Sequence, residues 1–158
     1  MRFGQDLQFE EIAVDLPYDF EMLRRDAARE GKQFVERLHA EWESGRQRFT
    51  GVHEALVAAR VNGDLAGIGG LTVDPGMTSA MRMRRFYIRP SHRRHGIGRQ
   101  LTMTLLSRSI ANGTIVTVNT DDAGAALFWE TLGFQFDPKA GRTHRLRWQG
   151  QEAVGSTD

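Results

Sequence analysis

Cysteine is absent from the chain. That removes a disulfide framework, a thiolate zinc site and a cysteine nucleophile from consideration. No apolar run approaches the ~20 residues that a membrane span needs. The first residues lack the charged-then-apolar order of a secretory signal. A soluble cytoplasmic protein with no membrane partner is therefore expected. Net charge is almost absent as well: 21 Lys and Arg stand against 20 Asp and Glu, a formal +1. Such a balance argues against a general nucleic-acid coat or an acidic tail. Basic residues are not interleaved with aromatic ones in the manner of a nucleic-acid groove, so no nucleic-acid partner is expected. There is no internal repeat and no low-complexity segment. The 158 residues suit one domain, since a chain of this length buries roughly 68–70% of its unfolded surface. Residues 1–148 are assigned to that domain and 149–158 to a polar tail.

A second absence is local. From Pro75 to Thr120 there is no Asp or Glu, while the same stretch carries Arg82, Arg84, Arg85, Arg89, Arg93, Arg94, Arg99 and Arg108. Either this is a solvated basic face or it is a positive field around an anionic ligand. In its middle lies Arg93-Arg94-His95-Gly96-Ile97-Gly98, between a strand-like run ending at Arg89-Pro90 and a helical run bearing Leu101, Leu105 and Leu106. A glycine turn there lets the main chain approach a guest closely. The first N–H groups of the following helix lack internal partners. The helix dipole adds about half a positive charge at that end. Arg93, Arg94 and Arg99 add full charges, and a phosphate ester, in particular a diphosphate, is the guest that suits them.

The rest of the chain reads as alternating elements. A strand is expected over Gln8–Val14, a helix over Asp19–Glu30, and a second helix from Lys32 to Glu43 that buries Val35, Leu38 and Trp42. Asn62-Gly63 is a strong two-residue hairpin signal between strands at Glu54–Val61 and Leu65–Val73. Gly67, Gly69 and Gly70 within the second of these suggest a bulge or a close main-chain approach. Strands follow at Met81–Ile88 and Ile115–Asn119. Asp121 or Asp122 can cap a helix whose Ala125, Phe128, Trp129 and Leu132 form one apolar face. The last two strands are expected at Phe134–Phe136 and His144–Trp148, on either side of Asp137-Pro138. This order implies an α/β (α+β) domain with a mixed sheet and helices on both faces.

Two motifs then carry a family resemblance. Arg93-x-x-Gly96-x-Gly98 follows Tyr87-Ile88-Arg89-Pro90, and Asp122-x-x-Ala125-x-x-Phe128-Trp129-x-x-x-Gly133-Phe134 lies downstream. Together they resemble the acyl-CoA motif and the following helix of the general N-acetyltransferase (GNAT) superfamily. The likeness is specific from about Leu65 to Phe134. A Rossmann site would need a third glycine and an acid further on, and a Walker loop would need Gly-Lys-Ser/Thr; neither is present. The resemblance implies a mainly antiparallel sheet of six to seven strands and an acetyl-CoA-dependent N-acetyltransferase using no metal. The acceptor would be an amine of a small molecule or a peptide. It also implies a pyrophosphate on the N–H groups of Arg94, His95, Gly96, Ile97, Gly98 and Arg99, with Arg93 beside them. The pantetheine arm would run along Phe86, Tyr87 and Ile88, in a gap between that strand and Ile115–Asn119. Dimers are common in such families, and a homodimer is carried as an expectation. A CoA-binding regulatory module with little transferase activity is the alternative.

The catalytic groups cannot be assigned from the sequence. Trp129 stands where the family has a thiolate-protonating tyrosine, and an indole N–H donates a hydrogen bond without releasing its proton. Tyr87, Glu54, His53, Asp121 and His144 are the candidates for a base. Asp122 replaces a family asparagine and suits a cap. Arg82 and Arg84 should share one face of their strand, opposite Met81, Met83 and Arg85. That pair faces either solvent or an acceptor bearing a carboxylate or phosphate.

Overall fold

The computed structural model describes residues 6–120, 122–139 and 141–150. Its elements are β1 (Leu7–Glu11), α1 (Glu21–Arg29), α2 (Phe34–Ser44), β2 (Ala55–Val61), β3 (Asp64–Val73), β4 (Ala80–Ile88), α3 (Ile97–Ser109), β5 (Ile115–Val118), α4 (Ala123–Thr131), β6 (Gln135–Lys139) and β7 (Arg142–Arg147). A short 3₁₀ turn at Pro90–His92 precedes α3. All seven strands join one sheet in the order β1-β2-β3-β4-β5-β7-β6. Only β4 and β5 run parallel; the other neighbours are antiparallel. The mixed, mainly antiparallel α/β sheet is the one expected.

The hairpin Asn62-Gly63 forms with both residues at positive φ, 51° and 88°, as a two-residue turn matched to strand twist requires. Alternation along β2 then sorts the core onto two faces. Leu56 and Ala58 pack with Leu23, Ala27, Val35, Leu38 and Trp42 of α1 and α2. Ala55 and Val57 pack with Leu101, Leu105 and Leu106 of α3 and with Trp129 of α4.

Some boundaries differ from expectation. Strand β1 stops at Glu11, because the chain turns so that Ile12 plugs the core at 8% exposure while Val14 is left in solvent. Helix α1 starts at Glu21, since Asp19 is held by Arg60. Strand β6 runs through Asp137-Pro138 instead of ending before them. It is the outermost strand, and an edge tolerates a residue without an N–H.

The β3 glycines answer to close approach. A Cβ at Gly67 would lie 2.7 Å from the Tyr87 carbonyl oxygen, one at Gly69 2.7 Å from the Phe86 ring, and one at Gly70 2.5 Å from the Phe49 ring. Helix α1 and the segment before it are tied to the sheet by ion pairs. Asp19 accepts two hydrogen bonds from Arg60 at 2.9 Å each. Asp26 accepts one from Arg89 at 2.7 Å.

Two predictions follow from this packing. Gly67→Ala meets main chain, which cannot move aside, so it should lower unfolding free energy by about 1–3 kcal/mol in urea; an unchanged midpoint would contradict the close approach. Hydrogen bonds from Arg60 hold the Asp19 carboxyl below its usual value of 3.8, against the opposing effect of burial. Its stabilising contribution is therefore present above pH 3.8 and lost as pH falls through the lower folded value. Asp19→Asn should cost about 1–3 kcal/mol at pH 7, and the difference from the parent should shrink in unfolding curves taken below pH 3.8.

Candidate functional site

Strand β4 has a partner along one side and only a short one on the other. On the β3 side it pairs from Met81 to Ile88. On the β5 side pairing covers only Ala80, Met81 and Arg82, opposite Ile115, Val116 and Thr117. From Met83 to Ile88 the β5-facing edge has no strand partner among the described residues, though the Ile88 carbonyl accepts from Arg93 Nε. The closed end is fastened by Asp74, whose carboxylate accepts a hydrogen bond from Thr117 Oγ1 at 2.6 Å and one from the Gly76 N–H at 2.7 Å.

The register between β3 and β4 slips at Arg85: Ile68 faces Tyr87, but Gly70 faces Arg84. Arg85 is the extra residue, with φ of 55°, as in a β-bulge. The bulge reverses the faces beyond it. Phe86 and Ile88 join Met81 and Met83 against α3 and α4, while Tyr87 joins the α1–α2 side. This corrects the expected alternation: Arg85 lies opposite Met81 and Met83, bonded to Glu41 of α2 at 2.7 and 3.2 Å. Phe86 stacks edge-on against Trp129, which also meets Phe128 and Phe134. Trp129 is thus an aromatic core residue, 6% exposed.

Beyond β4 the chain makes the 3₁₀ turn and reaches Gly96, the N-cap of α3, at φ 76°. A side chain there would have space, with no atom within 4 Å of its Cβ. The conformation, not crowding, asks for glycine. Gly98 is the reverse case: its Cβ would lie 3.1 Å from the Phe128 ring. The N–H groups of Arg94, His95 and Gly96 have no acceptor among the described residues, and those of Ile97, Gly98 and Arg99 open the helix. Six successive donors therefore line one turn, and the exposed Arg94 and Arg99 have no ion-pair partner among the described residues. The arrangement fits an anion, with a diphosphate well matched to so many donors.

Arg93 is placed differently from its neighbours. Its N–H donates to Pro90 O at 3.3 Å, and its Nε donates to Ile88 O at 2.9 Å. Its two Nη atoms bind Glu30 at 2.7 and 2.8 Å. The guanidinium therefore braces the end of β4 against α1 instead of facing the turn. Glu30 also accepts from the Tyr87 hydroxyl at 2.6 Å. The hydrogen bonds from Arg93, with that from Tyr87, hold Glu30 below its usual value despite burial. Burial first, and then Glu30, push the Tyr87 phenol far above its usual range.

The candidate bases are scattered. Tyr87 is held protonated by the interactions just given. His53 Nδ1 lies 2.8 Å from Ser109 O, at the far end of α3. Glu54 accepts from the N–H groups of Gly51 and Val73 at 3.0 Å each. His144 is 2% exposed, between Glu130 and Thr143 at 2.8 Å each. Asp121 lies outside the described residues. Asp122 caps α4 by accepting from the Gly124 N–H at 3.0 Å, and its other oxygen takes Lys32 at 2.8 Å. That ion pair, which the sequence reading did not foresee, joins the α1–α2 connection to the start of α4. Among the described residues no group of three or more His, Asp or Glu gathers as a metal site, and no helix is long and apolar enough to cross a membrane.

Comparison with known proteins agrees with this geometry. The model of the acetyltransferase (GNAT) domain matches residues 22–150. An acetyltransferase-like protein from Exiguobacterium sp. 255-15 shares 26% identity over 90% of this chain and 93% of that one, with a TM-score of 0.77. A GNAT-family acetyltransferase from Staphylococcus aureus Mu50 is 14% identical over 91% and 100%, at a TM-score of 0.66. The PaiA N-acetyltransferase of Thermoplasma acidophilum, solved in complex with coenzyme A, is 13% identical over 91% and 99%, at 0.61. A search of curated proteins gives no match. With its parted β4 and β5, its bulge and its glycine turn ahead of α3, the chain belongs to the GNAT acetyltransferase family.

Proposed function

We propose that this protein is an acetyl-CoA-dependent N-acetyltransferase, acting on an amine of a small molecule or peptide. The observation that carries the reading is the continuity of two features. The open β4 edge from Met83 to Ile88 runs directly into the turn of donors from Arg94 to Arg99. Peptide-like amides of a pantetheine arm suit an unpaired strand edge, here beside Phe86, Tyr87 and Ile88. The diphosphate suits the N–H groups of Arg94, His95, Gly96, Ile97, Gly98 and Arg99, with the guanidinium groups of Arg94 and Arg99 around it. Arg93 contributes by holding that end of β4 through Glu30 and Ile88.

The chemistry is acyl transfer from sulfur to nitrogen. A carbon–nitrogen bond forms, the carbon–sulfur bond breaks, and the amine gives up one proton. A lysine-like amine, with a pKa of about 10.4, needs roughly 4–5 kcal/mol to be held neutral at pH 7. A main-chain N–H of the β4 edge, such as that of Ile88, would hold the carbonyl oxygen as it gains charge. Of the four described base candidates, Tyr87 is held protonated beside Glu30, His144 has both ring nitrogens engaged, His53 sits at the far end of α3, and each Glu54 oxygen already accepts a main-chain N–H. In this reading the amine's proton passes to solvent, and the leaving sulfur takes its proton from there too. Trp129 supplies the apolar wall behind Phe86.

Binding and turnover are tested separately. Acetyl-CoA should bind the parent protein in calorimetry, and Arg99→Glu should weaken it roughly tenfold or more without lowering the melting temperature. Equal affinity in the two proteins would remove the anion turn from the site. Thiol release across a broad amine panel tests turnover, and binding without turnover there would favour a regulatory CoA-binding module. Trp129→Phe should change kcat less than about tenfold, because no proton leaves the indole; a thousandfold loss would show otherwise.

A further inference from the structure

Arg84 is the first residue of β4 on the α1–α2 face beyond the last β4–β5 pair, Arg82 with Thr117. Its face follows from its register partner Gly70, which pairs in turn with the core residue Leu56. Neighbouring charges are all engaged. Arg82 lies 3.7 Å from Asp74 and 3.5 Å from Thr117 Oγ1. Arg85 takes both oxygens of Glu41. Glu54 takes the N–H groups of Gly51 and Val73. Arg84 itself is half-buried and has no hydrogen-bond or ion-pair partner among the described residues. Burial, and then the guanidinium of Arg85, disfavour its charge.

A second polar group on this face also lacks a partner, and it is buried. Thr72 faces Arg82 across the β3–β4 ladder and is 2% exposed. Its Oγ1 is the buried side-chain polar atom that lacks a partner among the described residues. Native interiors seldom leave such groups unpaired, and a half-buried cation without a partner is costly. Glu41 and Glu54 both lie near enough to influence Arg84, yet each is turned to another donor. The site is thus arranged to keep one guanidinium available, two residues past the point where β4 and β5 part. The Phe49 ring, packed over Gly70, supplies an apolar wall next to it.

We propose that Arg84 binds a carboxylate of the acceptor, so that the molecules acetylated here are amines that also carry a carboxylate. The inference rests on the acetyltransferase reading above. It assigns the acceptor to the α1–α2 side of the open β4 edge, with the planar guanidinium taking both carboxylate oxygens. Arg84 is then a specificity-determining residue, and the chain forgoes an internal ion pair to keep it free.

The test uses matched acceptors with the same amine, bearing a carboxylate, a carboxamide or a phosphonate. They are compared in the parent protein, Arg84→Gln and Arg84→Lys. The parent should favour the carboxylate over the carboxamide in kcat/KM by roughly 10- to 100-fold. Arg84→Gln should erase that ratio, chiefly through the acceptor's KM. The acetyl-CoA dissociation constant should stay unchanged, and the melting temperature should be equal or higher. Arg84→Lys should recover part of the preference. Equal use of carboxylate and carboxamide, a preference that survives Arg84→Gln, a preference for phosphonate, or acetyl-CoA binding with no carboxylated amine turned over would each overturn the proposal. So would a lower melting temperature together with weaker acetyl-CoA binding in Arg84→Gln, which would mark a structural role. Failure of the parent to bind acetyl-CoA would instead overturn the functional reading on which the inference depends.

Discussion

A β-strand in the middle of a sheet has two hydrogen-bonding edges, and β4 has one of them only partly filled. Its contact with β5 ends at Arg82 and Thr117, where Asp74 fastens the closed end by accepting from Thr117. Main-chain N–H and C=O groups need partners when they are removed from water. An interior strand with half of one edge free is therefore a place where another peptide-like chain can pair. The bulge at Arg85 works with this opening. It brings Phe86 and Ile88 back to the α3–α4 side and turns Tyr87 toward α1, so both ends of β4 present apolar side chains to the α3–α4 face.

The electrostatics follow the same division. The long arginine-rich stretch is not one positive surface. Arg82, Arg85, Arg89 and Arg93 are drawn to Asp74, Glu41, Asp26 and Glu30, acids from the segments that pack around β4. Arg82 and Asp74 stand 3.7 Å apart; the other three pairs are short, at 2.7 Å, and partly shielded from water. They fix where α1 and α2 sit relative to the strand and to the turn after it. Arg94 and Arg99 remain exposed around the main-chain donors of α3, and Arg84 has no partner among the described residues, on the side proposed for the acceptor. Half of the eight arginines of that stretch thus hold the frame, while Arg84, Arg94, Arg99 and Arg108 have no ion-pair partner among the described residues. Lys32 with Asp122 extends the frame to the start of α4.

Much of this was legible beforehand where the signal is local. Asn62-Gly63, the Gly96 turn, the apolar face of α4 and the order of seven strands and four helices depend on residues a few positions apart. The bulge had a signal that went unread: apolar residues fall at 81 and 83 and then at 86 and 88, a slip of phase that strict alternation cannot accommodate. Pro138 misled in the other direction, since a proline that would break an interior strand is harmless on the outermost one. The roles of Arg93 and Glu30 had no local signal at all, because the two residues meet only through the packing of α1 on β4.

By itself the sequence determined the periodicities, the turn that needs a left-handed glycine, and the family to which those motifs point. Each of these is set by backbone sterics and by side-chain spacing within one element. Tertiary structure alone decided where β4 and β5 part, which arginines are neutralised and which remain free. Those outcomes depend on distances between groups tens of residues apart. A guanidinium looks the same in a sequence whether a carboxylate waits for it across the fold or not.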